Sequence, residues 1–134
     1  MKLTKATNYA LHTMMFLAAN PPDEHIGVAK LAERQGVSTT YLSKILTKLV
    51  KSGLVESVSG ANGGYKLKPD WEKLSLLDVI KAIEGLTPIF DYCLSHNPDC
   101  LIQKAIESAE EKLLDELNQT RIVDLANKWN ETSI

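Results

Sequence analysis

The sequence predicts a mainly α-helical fold with a small β-hairpin wing: a winged helix–turn–helix followed by a long C-terminal dimerisation helix. Three observations predict it. Two short amphipathic segments meet at Gly36, a glycine-rich stretch follows them directly, and a narrow apolar stripe runs from Ile102 to Leu117. The first is the most specific. In residues 29–49, AKLAERQGVSTTYLSKILTKL, Leu31 and Ala32 precede the glycine, Val37 follows it, and Leu42 and Ile45 recur on one face of the second segment. A helix–turn–helix needs a small residue where the helices touch, a turn residue that tolerates positive φ, and apolar anchors behind the second helix.

Ser38 is a good N-cap for that second helix. Its outward face would carry Thr39, Thr40, Tyr41, Ser43, Lys44, Thr47 and Lys48. Hydroxyls, an aromatic ring and cations are the groups that meet phosphates and base edges, so a DNA-recognition helix is expected. A helical hairpin with a glycine turn can also be a packing unit and nothing more. The stretch after residue 49 is what favours DNA reading.

That stretch, LVESVSGANGGYKLKP, covers residues 54–69. Val55 and Val58 lead into Gly60-Ala61-Asn62-Gly63-Gly64, and Tyr65 and Leu67 alternate out of it. Asn-Gly between extended segments signals a hairpin, because both residues tolerate positive φ. A hairpin directly after a helix–turn–helix is a wing, and its glycines would let the backbone approach a phosphate or enter a minor groove.

The chain has 134 residues, 44% apolar and 24% charged, which suits one soluble domain with an appendage. No apolar run reaches membrane-spanning length. The opening MKLTKATNYALHTMMFLAANPP has basic residues before an apolar stretch, as a secretory leader does. Asn8, His12 and Thr13 interrupt it, and its apolar positions recur at helical spacing, so it reads as the first helix of a cytoplasmic protein. The net charge of −2 conceals an asymmetry. Residues 1–70 hold nine Lys and Arg against five Asp and Glu, a charge of +4, whereas residues 71–134 hold six against twelve, a charge of −6. A basic half joined to an acidic half fits a DNA-reading unit attached to a unit with another task.

The remaining elements follow from caps and breakers. Thr4 caps a first helix to about Asn20, with Ala6, Tyr9, Ala10, Phe16 and Leu17 apolar, and Pro21-Pro22 stops it. Residues 25–28 form a short extended piece. Gly53 closes the recognition helix. Ser75 caps a short helix over residues 76–84, ended by Gly85. Residues 86–99, with two prolines, read as a long loop of the kind that carries function. A long helix then runs to about Asn118, with Ile102, Ile106, Ala109, Leu113 and Leu117 at steps of four, three, four and four. So narrow a stripe is a helix–helix seam, best satisfied by a second copy of the chain. Thr120 caps a last helix through Trp129, whose Ile122, Leu125, Ala126 and Trp129 make a second apolar face, assigned to dimerisation, with packing onto the chain's own domain as the alternative.

The opening MKLTKATNYAL, the helical pair ending LSKILTKLVKSGLVES, the wing GANGGYKL and the segment LSLLDVIKAIEG together resemble the Rrf-two family of bacterial transcription regulators, with its IscR-like, NsrR-like and CymR-like branches. The resemblance covers essentially the whole chain. It implies a homodimeric winged helix–turn–helix on a pseudo-palindromic operator, with a sensor in many members in the loop before the dimer helix. It implies that residues 38–48 enter the major groove, that residues 60–65, with Asn62, Gly63, Gly64 and Tyr65, form the wing tip at the minor groove, and that Lys2 and Lys5 lie near the DNA backbone. The chain also departs from the family pattern. Ser59 stands where members often have arginine before the wing glycine, and Ser43 stands where IscR-like members have a carboxylate.

Two cysteines, Cys93 and Cys100, fall in or beside the loop, with His96 between them. Cluster-binding members resemble one another in having three cysteines there, and the position where the nitric-oxide-sensing branch supplies an acid looks to be Asn8. Cys93, His96 and Cys100 are the candidate metal ligands. They number three, whereas clusters and structural zinc sites take four, so the count argues against a resident iron–sulfur cluster or other cofactor. Two readings of the thiols stay open: a reversible thiol sensor at Cys93 and Cys100, or two reduced side chains with no signalling role.

The domain plan expected is a winged helix–turn–helix over residues 1–85 (helix pair 29–51, wing 54–69), a sensor-type loop over 86–99, and dimerisation helices over 100–134. The function expected is a sequence-specific, homodimeric DNA-binding regulator, a repressor, with thiol or redox responsiveness in view. The alternative is a winged-helix protein-interaction module whose basic face serves an acidic partner. An enzyme is not expected: the thiols have His96 near in sequence but no orienting group or oxyanion donors.

Overall fold

Hydroxyls cap two of the three helix starts in the N-terminal half, at Thr4 and Ser38, whereas the helix that follows Gly27 has no side-chain capping bond. The computed structural model describes residues 3–21, 23–85, 87 and 98–132. Helix α1 spans Lys5–Ala19, and Thr4 Oγ1 accepts from the Thr7 amide at 3.3 Å. Thr7, Ala10, Thr13, Met14 and Leu17 recur at three- and four-residue steps and are buried along one face. The helix stops at Asn20, whose extended backbone precedes Pro21.

Helix α2 spans Val28–Gln35 and ends at Gly36, which adopts φ 66° and donates back to Glu33 O at 3.2 Å. Only a residue free of a Cβ takes this turn without strain, so the expected role of Gly36 is met. Helix α3, Thr39–Lys51, is capped by Ser38, whose Oγ accepts from the Tyr41 amide at 3.1 Å. Leu42, Ile45, Leu46 and Leu49 of α3 are buried against α1, α2 and Val55 as the centre of the core. Truncating one such leucine to alanine costs about 2–5 kcal/mol.

Strands β1, Val55–Val58, and β2, Gly64–Leu67, pair antiparallel, with Val55 opposite Leu67 and Val58 opposite Gly64. The extended piece expected at residues 25–28 has a partner: Ile26 and Tyr65 exchange backbone bonds of 2.9 and 2.8 Å, which ties the wing to the α1–α2 connection. The expected positive-φ turn at Asn62-Gly63 is corrected. In the wing the left-handed residue is Gly60, at φ 111°, and the connection is five residues long. Gly63 and Gly64 are required for space instead. A Cβ on Gly63 would lie 2.2 Å from Val58 O, and one on Gly64 would lie 2.6 Å from Ile26 O.

A 3-10 turn at Trp71–Lys73 leads to α4, Leu76–Glu84, which opens with a capping box between Ser75 and Asp78 (2.9 and 3.2 Å) and ends at Gly85. Helix α5 spans Leu101–Gln119 and α6 spans Ile122–Thr132. Thr120 does not cap α6 as expected. It closes α5, its amide and hydroxyl both bonded to Glu116 O, and α6 begins two residues later. The intervening backbone is used elsewhere: Leu76 N donates to Thr120 O at 2.9 Å and Ile122 N donates to Leu74 O at 3.0 Å, pinning the α5–α6 corner to the start of α4. Helix α6 then packs on α1 of the same chain, with Ile122 and Ala126 buried and the Trp129 ring edge-on to Phe16 at 5.7 Å. This is the packing onto the chain's own domain, in place of the dimer contact put ahead of it for residues 122–129.

Candidate nucleic-acid interface

Helix α3 has two unlike faces because its apolar residues sit at positions 42, 45, 46 and 49. Burying these turns Thr39, Thr40, Tyr41, Lys44, Thr47 and Lys48 outward, and all six are exposed. Lys44 and Lys48, four residues apart, share one stripe. Ser43 sits at the edge of the exposed face and is half-buried. Among the described residues, side-chain ion pairs form at Glu56–Lys66 and Asp99–Lys104, and neither draws on Lys5, Lys44 or Lys48.

Two of the expected contact residues also have structural tasks. Ser38 is exposed, yet its Oγ lone pair holds the Tyr41 amide, which leaves its O–H as the group free to meet a phosphate. The Tyr41 ring stands edge-on to Tyr9 of α1, centroids 5.7 Å apart at 81°, so its orientation is fixed before any ligand arrives. Ala6, Tyr41, Lys44, Ile45, Lys48 and Ile83 line one cleft of about 220 Å³. The first turn of α1, with exposed Lys5, the cationic stripe of α3 and the end of α4 therefore meet at one place.

The wing contributes less uniformly. Asn62 is exposed at the tip with Ser59, Gly60 and Ala61, and its carbonyl accepts from the His25 ring. His25 holds the tip from beneath. The sequence offers no signal for it beyond its place in the extended piece that pairs with β2. Gly63 and Gly64 serve close backbone packing, and Tyr65 is half-buried against the core while its backbone bridges Ile26. Tyr65 is therefore a post of the wing more than a tip residue. Lys2, Cys93 and His96 lie outside the described residues. Cys100 is a free, half-buried thiol at the N-cap of α5, with no side-chain capping bond. Among the described residues, no group of three or more His, Cys, Asp or Glu could hold a metal ion.

Helix α5 packs on α4 but has no buried residue. Of the expected seam, Ile102 is 70% exposed and Leu113 40%, Ala109 is also exposed, and Ile106 and Leu117 are half-buried. Leu101, beside the seam, is 81% exposed. Among the described residues no helix is long and apolar enough to cross a membrane.

This architecture is shared with known proteins. The chain is similar to the oxidised form of Staphylococcus aureus CymR, with 29% identity over 94% of this chain and 96% of that one, at a TM-score of 0.80. It is similar to CymR of B. subtilis, a global cysteine regulator, with 26% identity over 96% and 98% and a TM-score of 0.79. It is also similar to T. potens IscR, with 27% identity over 100% and 92% and a TM-score of 0.79. The family model for Rrf2, described as an iron-dependent transcriptional regulator, matches residues 3–128. With a helix–turn–helix, a wing and a match of that extent, the chain belongs to the Rrf2 family of DNA-binding transcription regulators.

Proposed function

We propose that the protein acts as a homodimeric repressor that binds a pseudo-palindromic operator, with one α3 in the major groove of each half-site. The observation that carries this reading is the division of α3 into a buried apolar face and an exposed face bearing Lys44 and Lys48 outside the described ion pairs. Lys44 and Lys48 meet phosphates or bases, Thr39, Thr40 and Tyr41 position or read, Ser38 and Ser43 flank them, and Lys2 and Lys5 meet the backbone. Asn62 with the backbone of Gly63 and Gly64 meets the minor groove.

Dimerisation runs through α5. Support comes from its exposed apolar side chains, which a lone chain would leave in water at about 25 cal/mol per Å². Residues 1–85 with α6 form the reading unit, and residues 101–119 form the seam. Cys93 and Cys100 act as the responsive thiols, a reading supported by the free Cys100 at the head of the dimer helix and by the existence of an oxidised form of the similar CymR. The candidate donors Cys93, His96 and Cys100 fall one short of the four that a cluster takes.

The test is a salt-dependent mobility shift with the full chain on the DNA upstream of its own coding sequence and on duplexes enriched from a random pool. Saturable, sequence-dependent retardation that weakens with salt is expected. Retardation of every duplex alike, or of none, overturns the reading.

A further inference from the structure

Glu84 is the last residue of α4, the end of a helix where backbone carbonyls make a carboxylate unwelcome. Its side chain reaches away from that end to the start of α1, whose unpaired amides form the opposite, positive pole. There Oε1 accepts from Thr7 Oγ1 at 2.7 Å and from Thr4 Oγ1, and Thr4 Oγ1 in turn accepts from the Thr7 amide at 3.3 Å. Thr7 is fully buried, so without the carboxylate its hydroxyl would lose a partner in a place water does not reach. Thr4 is the residue that sets where α1 begins, and Lys5 is its first turn.

This joint sits beside the reading face. Ile83, next to Glu84, and Ala6, next to Lys5, line the same cleft as Tyr41, Lys44 and Lys48. Tyr9, just over one turn along α1, rests on Tyr41. Helix α4 also packs on α5, the helix proposed to join two copies. We propose that Glu84 is a positioning residue for DNA binding: by holding Thr4 and Thr7 it fixes the first turn of α1 and sets Lys5 in register with the lysines of α3. The proposal rests on the DNA-binding reading and names a residue that touches no DNA itself.

Charge and position make opposite demands, which gives the test its sign. Removing a carboxylate beside a cationic face strengthens DNA binding if only charge matters. Positioning requires the reverse for Glu84→Ala: binding to an enriched duplex weaker by about tenfold, with a salt slope shallower by about 0.9 per protomer as the Lys5 contact is lost. Glu84→Gln keeps an acceptor for both hydroxyls and restores affinity to within about threefold of wild type, or beyond it. In a Lys5→Ala background, Glu84→Ala has no further effect on affinity, because the contact it positions is already gone.

Glu84→Asp, which keeps the charge but shortens the reach by one methylene, serves where the alanine variant fails to fold, and it too must weaken binding. Glu84→Ala or Glu84→Asp chains that fold and bind as wild type, Glu84→Ala binding more tightly, or additive Lys5 and Glu84 effects would each overturn the proposal. A wild-type chain that shifts no duplex overturns the DNA reading first.

Discussion

Replacing Lys44 and Lys48 together by alanine tests the reading face where it is most exposed. Both side chains project from one stripe of α3, about 6 Å apart along the axis at the helical rise. Neither belongs to the core, so the fold survives the change. A lysine that neutralises a phosphate releases a counterion and contributes about 0.9 to the slope of log affinity against log salt. Two contacts per protomer then make about 1.8, and a dimer on a full operator loses about 3.6. Between 50 and 200 mM salt this narrows the affinity gap between wild type and variant by roughly 150-fold for the dimer, or about 12-fold if only one protomer engages. The assay is a titration of labelled duplex by fluorescence anisotropy at four or more salt concentrations, with the circular dichroism spectra of both proteins compared. A variant that folds and keeps the wild-type slope would refute the placement of these lysines at the DNA backbone.

Other expectations follow from particular contacts. Gly64→Ala puts a Cβ 2.6 Å from Ile26 O, so it should break the Ile26–Tyr65 bridge, lower stability by about 1–3 kcal/mol in urea unfolding and loosen the wing; an unchanged midpoint counts against that geometry. Thr13 donates to Tyr9 O at 2.7 Å and accepts from Gln35 Nε2 at 2.8 Å inside the core, so Thr13→Val should cost about 1–3 kcal/mol by stranding the glutamine at the end of α2. Ile102→Glu with Leu113→Glu places charges on the exposed stripe of α5 and should yield monomers by light scattering, with operator binding lost but the helix content kept; dimers that persist move the seam elsewhere. Cys93→Ser with Cys100→Ser should abolish any effect of oxidant on DNA binding, and a double variant that responds like wild type removes the thiols from the mechanism.

Local signals were legible wherever a residue type and a backbone state coincide. Gly36, Gly53, Gly85, Ser38, Ser75 and Thr4 mark turns and caps, and each performs that task. Leu42 and Ile45 foretold the buried side of α3 and, by subtraction, its exposed face; the structure adds Leu46 and Leu49 to the buried side. Features that depend on distant backbone were not legible. The choice of Gly60 over Asn62-Gly63 as the left-handed residue depends on a five-residue loop whose close approaches involve Val58 and Ile26. The start of α6 depends on Leu74 and Leu76 pairing with the backbone on either side of Arg121, a contact some 46 residues away in sequence. Its apolar face looked free because the sequence does not show that Phe16 and the rest of α1 lie opposite it. Glu84 gave no signal at all: in sequence it is an unfavourable charge at a helix end, and only the fold brings Thr4 and Thr7 to it.

In the proposed complex two copies of this chain read DNA through paired α3 helices. Hydroxyl-radical footprinting of this chain on an enriched duplex distinguishes that arrangement from a single reading helix. Two helices in successive major grooves of one face predict two equivalent protected patches, related by a twofold axis and centred about one turn, 10–10.5 base pairs, apart or a multiple of that. Both patches should weaken together in the Lys44→Ala, Lys48→Ala variant. A single patch, or uniform protection without a dyad, would rule out paired α3 helices on one operator.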